Sequence, residues 1–282
     1  MKVAIFTNDD LTSNLIFSPL FDVSGIEITG LYIAMSPRRG ETSMVRGALS
    51  LLRRMALRYW LFLVFTNGTF KVFETLTSVL RLSPRTRQFC SLRRLAALRG
   101  TRCRKVADFS SPEIRAELRS DAVDLLVIRV ADILKPQVLD IPVEGTWCVH
   151  SSLLPSFKGI AGEFHALRTP AAAIGSTVFE VTPKLDEGAP LAQVVIPRNE
   201  AGSVFQHIHD NNIAAGKLLA EMVRQLAGHG SHGSVLFEGQ LKPSYFSWPK
   251  SSEVSALRKQ GKSLIRFGEA LQLALAAFRL AR

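Results

Sequence analysis

A chain of 282 residues, 47% of them hydrophobic, can bury a substantial core, which excludes general disorder and bounds it to one domain with an appendage or two small domains. The formal net charge of +11 favours an anionic partner, but charge alone does not choose between nucleic acid, phosphate and membrane surface. Three cysteines, Cys90, Cys103 and Cys148, form no CxxC pair and lack a His-rich spacing, which speaks against a zinc knuckle or a disulfide framework and fits a reducing cytoplasm.

The opening MKVAIFTNDD holds one Lys, a short apolar run and then polar residues, the pattern of a first strand over 3–7 and not of a signal peptide. A second apolar run over 26–34 follows a segment of helical length at 11–21, so a βαβ opening is predicted. Between 36 and 83 the pattern changes to MVRGALSLLRRMALRYWLFLVF and then FKVFETLTSVLRL, apolar at helical spacing with arginines between, as in an inserted helical cap. Alternation returns with a helix over 113–120, a fully buried strand over 125–130 and another strand over 145–150 after the turn at Pro142. Two β-rich runs, 175–181 and 189–196, flank the turn-forming TPKLDEG. An amphipathic helix follows over 204–226, with Ser203 as N-cap and Gly228 as stop. SVLFEGQLKPSYFSWP predicts one or two extended strands, and 253–282 reads as helices. No run of about 18 uncharged apolar residues occurs, so no spanning helix is expected.

These elements predict an α/β fold: a Rossmann-like, mostly parallel sheet flanked by helices, with its domain at 1–228, a basic helical insertion at about 38–105 and a small C-terminal extension at 229–282. His229 and His232 lie in a Gly/Ser loop without a third ligand, so no metal site is expected there.

The positive charge is concentrated. Residues 38–119 hold 18 of the 35 Lys and Arg but only 5 of the 24 Asp and Glu. Within 45–65, Arg46, Arg53, Arg54 and Arg58 are interleaved with Val45, Leu49, Leu52, Met55, Trp60, Leu61, Phe62, Leu63 and Phe65. Apolar area beside cations suits peripheral contact with an anionic membrane. The same segment also suits a helical hairpin packed on the sheet or at a homodimer interface. Nucleic acid is disfavoured, because arginines at 85, 87, 93, 94, 99, 102 and 104 accompany no recognised reading motif.

The chemistry gathers around CVHSSLLPSFKG, which sets His150 at the C-terminal end of a buried strand, where open α/β sheets collect their ligands. Together with ILKP at 133–136 and GSTVFEVTPKLDEGAPLAQ, the HxSLLPxxxG pattern over about 121–196 resembles the folate-dependent formyltransferases, a family that formylates glycinamide ribonucleotide, methionyl-tRNA, amino sugars and hydroxyornithine. The motif is specific for the family and not for the acceptor.

The resemblance implies transfer of a formyl group from 10-formyltetrahydrofolate to an amine, with His150 as the proton-handling residue and Asp186 as its carboxylate partner. It implies a pterin pocket formed largely by backbone at Val130, Ala131, Asp132, Ile133 and Leu134 and by the turn before Asp186. Ser151, Ser152, Lys158 and Gly159 are expected on the acceptor side. Family members carry an asparagine two residues before the histidine, whose amide helps bind the formyl oxygen; here that position is Cys148. A thiol is a weak donor, and loss of one oxyanion donor costs about 10²- to 10³-fold in rate. Cys148 shares a face with His150, so a thiolate–imidazolium pair is geometrically open, but a small buried residue filling the asparagine's space is the favoured reading. TNDDLTSN lacks a phosphate-cradling Gly-rich loop, which argues against glycinamide ribonucleotide, and the tail does not match a tRNA-holding OB-type domain. The expected acceptor is therefore a small or specialised amine in cytoplasmic biosynthesis. The alternative is a non-catalytic or chemically redirected relative that binds a small molecule or an anionic membrane surface.

Overall fold

The computed structural model describes residues 1–36, 43–79, 91–130, 132–183, 186–239 and 241–269. Its frame is a seven-stranded sheet in the order β3-β2-β1-β4-β5-β7-β8. The strands are β1 (Lys2–Thr7), β2 (Glu27–Ala34), β3 (Arg102–Val106), β4 (Leu125–Arg129), β5 (Thr146–His150), β7 (Ile174–Glu180) and β8 (Pro190–Ile196), with β6 (Lys158–Gly159) outside this sheet. β3 through β5 run parallel, and β7 and β8 add antiparallel to β5.

The central strands are apolar on both faces because both faces are covered. Val3 and Ile5 of β1 and Leu125 and Val127 of β4 pack with Leu31, Ile33 and the helix α8 (Val204–His229), through Ala215, Leu219 and Val223. Ala4, Phe6, Leu126 and Ile128 point the other way, onto Tyr32, Phe109 and the Ile114 and Leu118 of α5 (Pro112–Ser120). This explains the uninterrupted apolar runs at 3–6 and 125–128.

The helix expected over 11–21 is α1 (Leu11–Phe17) followed by a 3₁₀ turn over Ser18–Asp22, with Pro19 near the start of that turn. The inserted segment also divides differently from its sequence pattern. It forms α2 (Met44–Leu52) and α3 (Leu57–Val79), breaking at 53–56 and running straight through Asn67 and Gly68. The Ala56 N–H leaves the helix to bond Pro249 O at 2.8 Å, which favours the break there. Gly68 faces open space and does not interrupt the helix.

The sheet reclaims the last part of the stretch expected as insertion. α4 (Leu92–Leu98) buries Leu92, Leu95 and Ala96 in the core, and β3 pairs with β2. α8 ends at Gly230 and not at Gly228, since Gly230 adopts the left-handed φ of +68° that closes the helix, its N–H donating to Leu226 O at 2.9 Å. The helices expected over 253–282 are represented by α9 (Ser251–Lys259), residues 270–282 lying outside the described residues.

A third apolar cluster ties insertion and C-terminal segment to the sheet layer. Tyr59, Phe62 and Phe70 of α3 meet Phe164 and Leu167 of α7 (Gly162–Arg168), Val204 and Phe205, and Val254 and Leu257 of α9. Between α4 and β5 the chain also forms α6 (Pro136–Leu139), and β9 (Tyr245–Phe246) pairs in parallel with β6.

Candidate functional site

β1 leads to strands on one side of the sheet and β4 to those on the other, so the sheet order reverses between them. The C-terminal ends of parallel strands at such a point form a crevice. Three polar elements reach that edge: Asn8, Asp9 and Asp10 after β1, Arg129 at the end of β4 and His150 at the end of β5.

His150 is largely buried, its Nε2 3.4 Å from Phe157 O and its Nδ1 3.8 Å from Asp186 Oδ1. The second oxygen of Asp186 accepts the Gly159 N–H at 3.0 Å, and the Asp186 backbone has a left-handed φ of +50°. Burial pushes the imidazole below its ordinary pKa, while the Asp186 charge opposes that shift without reversing it. Cys148 shares the face of His150 on β5, and burial, reinforced by Asp186, pushes its thiol up to about 12. The thiol is therefore protonated near neutrality, which removes the thiolate that nucleophilic chemistry would need. Arg129 is close enough for its charge to act on both Cys148 and His150.

The loop after His150 is fixed from several sides. Thr177, opposite His150 in the β5–β7 register, donates to Ser152 O at 2.7 Å and accepts the Leu154 N–H at 2.9 Å. Gln193 donates to Leu154 O at 2.8 Å and to Thr177 Oγ1 at 3.1 Å. The C-terminal segment straps the other side, where Ser156 Oγ donates to Lys242 O and the N–H groups of Phe157 and Lys158 donate to Ser244. A rigid loop is what holds Gly159 against Asp186, and through Asp186 sets the field at His150.

The expected acceptor-side residues do not form one group. Ser152 is buried and its hydroxyl donates to Ser156 O and Phe157 O, both at 3.0 Å, so it is a loop-locking residue with no free donor. Ser151 Oγ donates to Asn212 Oδ1 at 3.3 Å. Lys158 and Gly159 sit in β6 against Tyr245 and Phe246. Of the expected pterin loop, Val130 and Asp132 are half-buried and Ile133 is 49% exposed, whereas Leu134 packs in the core with Val138. Leu134 is thus a core residue, held inward as the chain turns into α6. Ala131 and the turn residues 184 and 185 lie outside the described residues.

Sequence reasoning missed a buried polar network beside the site. Glu163, 4% exposed, accepts from Asn211 Nδ2 at 3.1 Å and from Asn212 Nδ2 at 3.3 Å through a single oxygen. Ser176 donates to Asn211, and burial raises the Glu163 carboxyl above the usual range. The available signal was the pair Asn211–Asn212 in mid-helix, where asparagine is a poor helix former unless its amide has a partner. Arg129, expected within the strand over 125–130 and at the start of the RVADIL loop with no role of its own, is the last residue of β4.

The model of the formyl transferase family matches residues 88–219, a span that contains His150, Asp186 and Cys148. Over that span the chain is similar to the formyl transferase family. Among curated relatives, methionyl-tRNA formyltransferase of Thiobacillus denitrificans is 35% identical over 107 residues, covering 38% of this chain and 34% of that protein. Methionyl-tRNA formyltransferase of Geobacillus thermodenitrificans is 32% identical over 171 residues, 59% of this chain and 50% of that one. The chain thus spans between about a third and a half of the length of these relatives.

Solved structures with the same fold include phosphoribosylglycinamide formyltransferase from Anaplasma phagocytophilum, with TM-score 0.54 and 18% identity over 89% of this chain and 98% of that one. A sugar N-formyltransferase from a Shewanella species aligns with TM-score 0.50 and 13% identity over 91% of this chain and 80% of the other. At these identities the formyl transferase fold is what is shared.

Proposed function

We propose that the protein transfers a formyl group from 10-formyltetrahydrofolate to the amine of a small or specialised metabolite. The observation that carries this reading is the His150–Asp186 pair at the C-terminal edge of the sheet, inside the span that is similar to the formyl transferase family.

In this reading the acceptor amine attacks the formyl carbon, forming the new C–N bond, and the bond from that carbon to the folate nitrogen breaks. The neutral His150 imidazole, favoured by burial, takes the proton that the amine nitrogen must lose and returns it to the departing folate nitrogen, so the protons balance. Asp186 holds His150 through charge and is itself aimed by the Gly159 N–H. The oxyanion lies in the field of Arg129, with the Cys148 thiol as a weak donor in place of an amide. Val130 and Ile133, accessible and apolar at the end of β4, would flank the pterin.

Calorimetric titration with a stable analogue of 10-formyltetrahydrofolate tests the donor side. Binding by wild type and by His150→Ala supports the reading, because His150 is assigned to proton transfer and not to folate affinity. Absence of binding in wild type and in Cys148→Asn overturns it.

A further inference from the structure

α3 is apolar on two opposite faces. One carries Tyr59, Phe62, Thr66 and Phe70 into the cluster with α7 and α9. The other carries Leu57, Leu61, Val64, Phe65, Val72, Leu76 and Val79, each between 40% and 73% exposed. Their spacing of three, four and seven residues is that of one helix face, and at 1.5 Å per residue the stripe runs about 33 Å. α2 extends it with Val45 and Leu49, both more than half exposed.

The charge beside this stripe is concentrated at one end, where it has one sign; farther along α3, Lys71 pairs with Glu74. Arg46, Arg53, Arg54 and Arg58 are exposed on α2, the turn after it and the first turn of α3, and no Asp or Glu occurs between residues 43 and 73. An open groove of about 360 Å³ adjoins, walled by Leu61, Phe62, Phe65 and Leu264, with Arg58 and Arg258 at its sides.

We propose that this α2–α3 face docks on an anionic lipid bilayer, the apolar stripe lying at the acyl boundary and the arginines at the headgroups. A contiguous apolar face of this length on a soluble surface marks an interaction site, and its charge decides which one. A second copy packed antiparallel along the stripe could offer these four arginines only Glu74 of α3, which is already paired with Lys71. Anionic phosphates supply the missing charge, and free lipid tails accept the stripe without a fixed complementary shape. No helix among the described residues is long and apolar enough to cross a membrane, so the contact is parallel to the surface. The proposal is independent of formyl transfer.

The test is flotation of the purified protein with phosphatidylcholine vesicles, with and without phosphatidylserine, at low and high salt. The expected result is flotation with phosphatidylserine only, released by salt. At about fivefold in partition per arginine, Arg53→Glu with Arg54→Glu should lower binding at least 25-fold. Leu61→Glu with Phe65→Glu should abolish it, and both pairs should keep the wild-type thermal midpoint, since all four side chains are exposed. A wild type that stays at the bottom of the gradient at low salt overturns the proposal, as does equal flotation with neutral vesicles. A dimer in light scattering that Leu61→Glu with Phe65→Glu dissociates, in a protein that does not float, assigns the face to a second copy instead.

Discussion

Nδ1 of His150 stands 3.8 Å from Oδ1 of Asp186, an ion-pair distance too long for a direct hydrogen bond. Asp186 therefore acts on His150 through its field and not by fixing a proton on Nδ1. Because burial dominates, the imidazole titrates below the ordinary histidine value of about 6.5. The base form is then fully present at neutral pH, and kcat/KM should be flat above about pH 7 with an acid limb below 6.5. A pH–rate profile checks this. An acid limb above 6.5 would mean that the Asp186 charge outweighs burial.

Asp186→Asn separates orientation from charge. Asparagine tolerates the left-handed φ of +50°, and its amide oxygen can still accept the Gly159 N–H, so the turn should hold and the thermal midpoint should stay near wild type. The lost negative charge removes what raises the His150 pKa. The acid limb should move to still lower pH, with kcat reduced by about 10²-fold. A profile with an unmoved limb would detach Asp186 from His150.

The sheet was legible in the chain because its central strands are buried on both faces and read as continuous apolar runs, and His150 was legible because its motif is local. The insertion was harder: α3 is apolar on two opposite faces, so its periodicity could not say which face is inward or where the preceding turn falls. β3 escaped notice because RCRKV is an edge strand whose first four residues are exposed, with Arg102 and Arg104 paired to Asp121 and Glu117 of the neighbouring helix region. Glu163, Asn211 and Ser176 are separated by up to 48 residues and meet only after folding.

Cys148→Asn restores the side chain that the family resemblance leads one to expect. With the native thiol pushed up to about 12, the position offers only a weak neutral donor. If the amide is what limits turnover, Cys148→Asn should raise kcat by roughly tenfold or more, within the 10²- to 10³-fold worth of one oxyanion donor. An unchanged kcat would assign that work to Arg129, and Arg129→Met should then fall by a comparable factor. Alkylation supplies an independent check, since half-buried Cys148, its thiol pushed up to about 12, should react with iodoacetamide more slowly than exposed Cys103.

Glu163 links the network to stability. Its carboxyl is raised in the folded protein by burial, so the native state keeps a proton that the unfolded chain loses near pH 4.3. The folded state then binds more protons than the unfolded one above that pH, and the wild-type stability must decline as pH rises through the interval up to the folded pKa. Glu163→Gln preserves an oxygen for the Asn211 and Asn212 amides but carries no charge, so its stability should lack this decline and should exceed wild type at pH 8 while matching it near pH 4. Glu163→Leu should instead lose about 1–3 kcal/mol for each amide N–H that loses its acceptor, at either pH, although each amide keeps a second bond, to Gly175 O and Ile208 O. Urea unfolding of the three proteins at both pH values separates the cases: parallel curves for wild type and Glu163→Gln would mean that Asn211, Asn212 and the charge of Arg129 hold the carboxylate ionised as readily as water does.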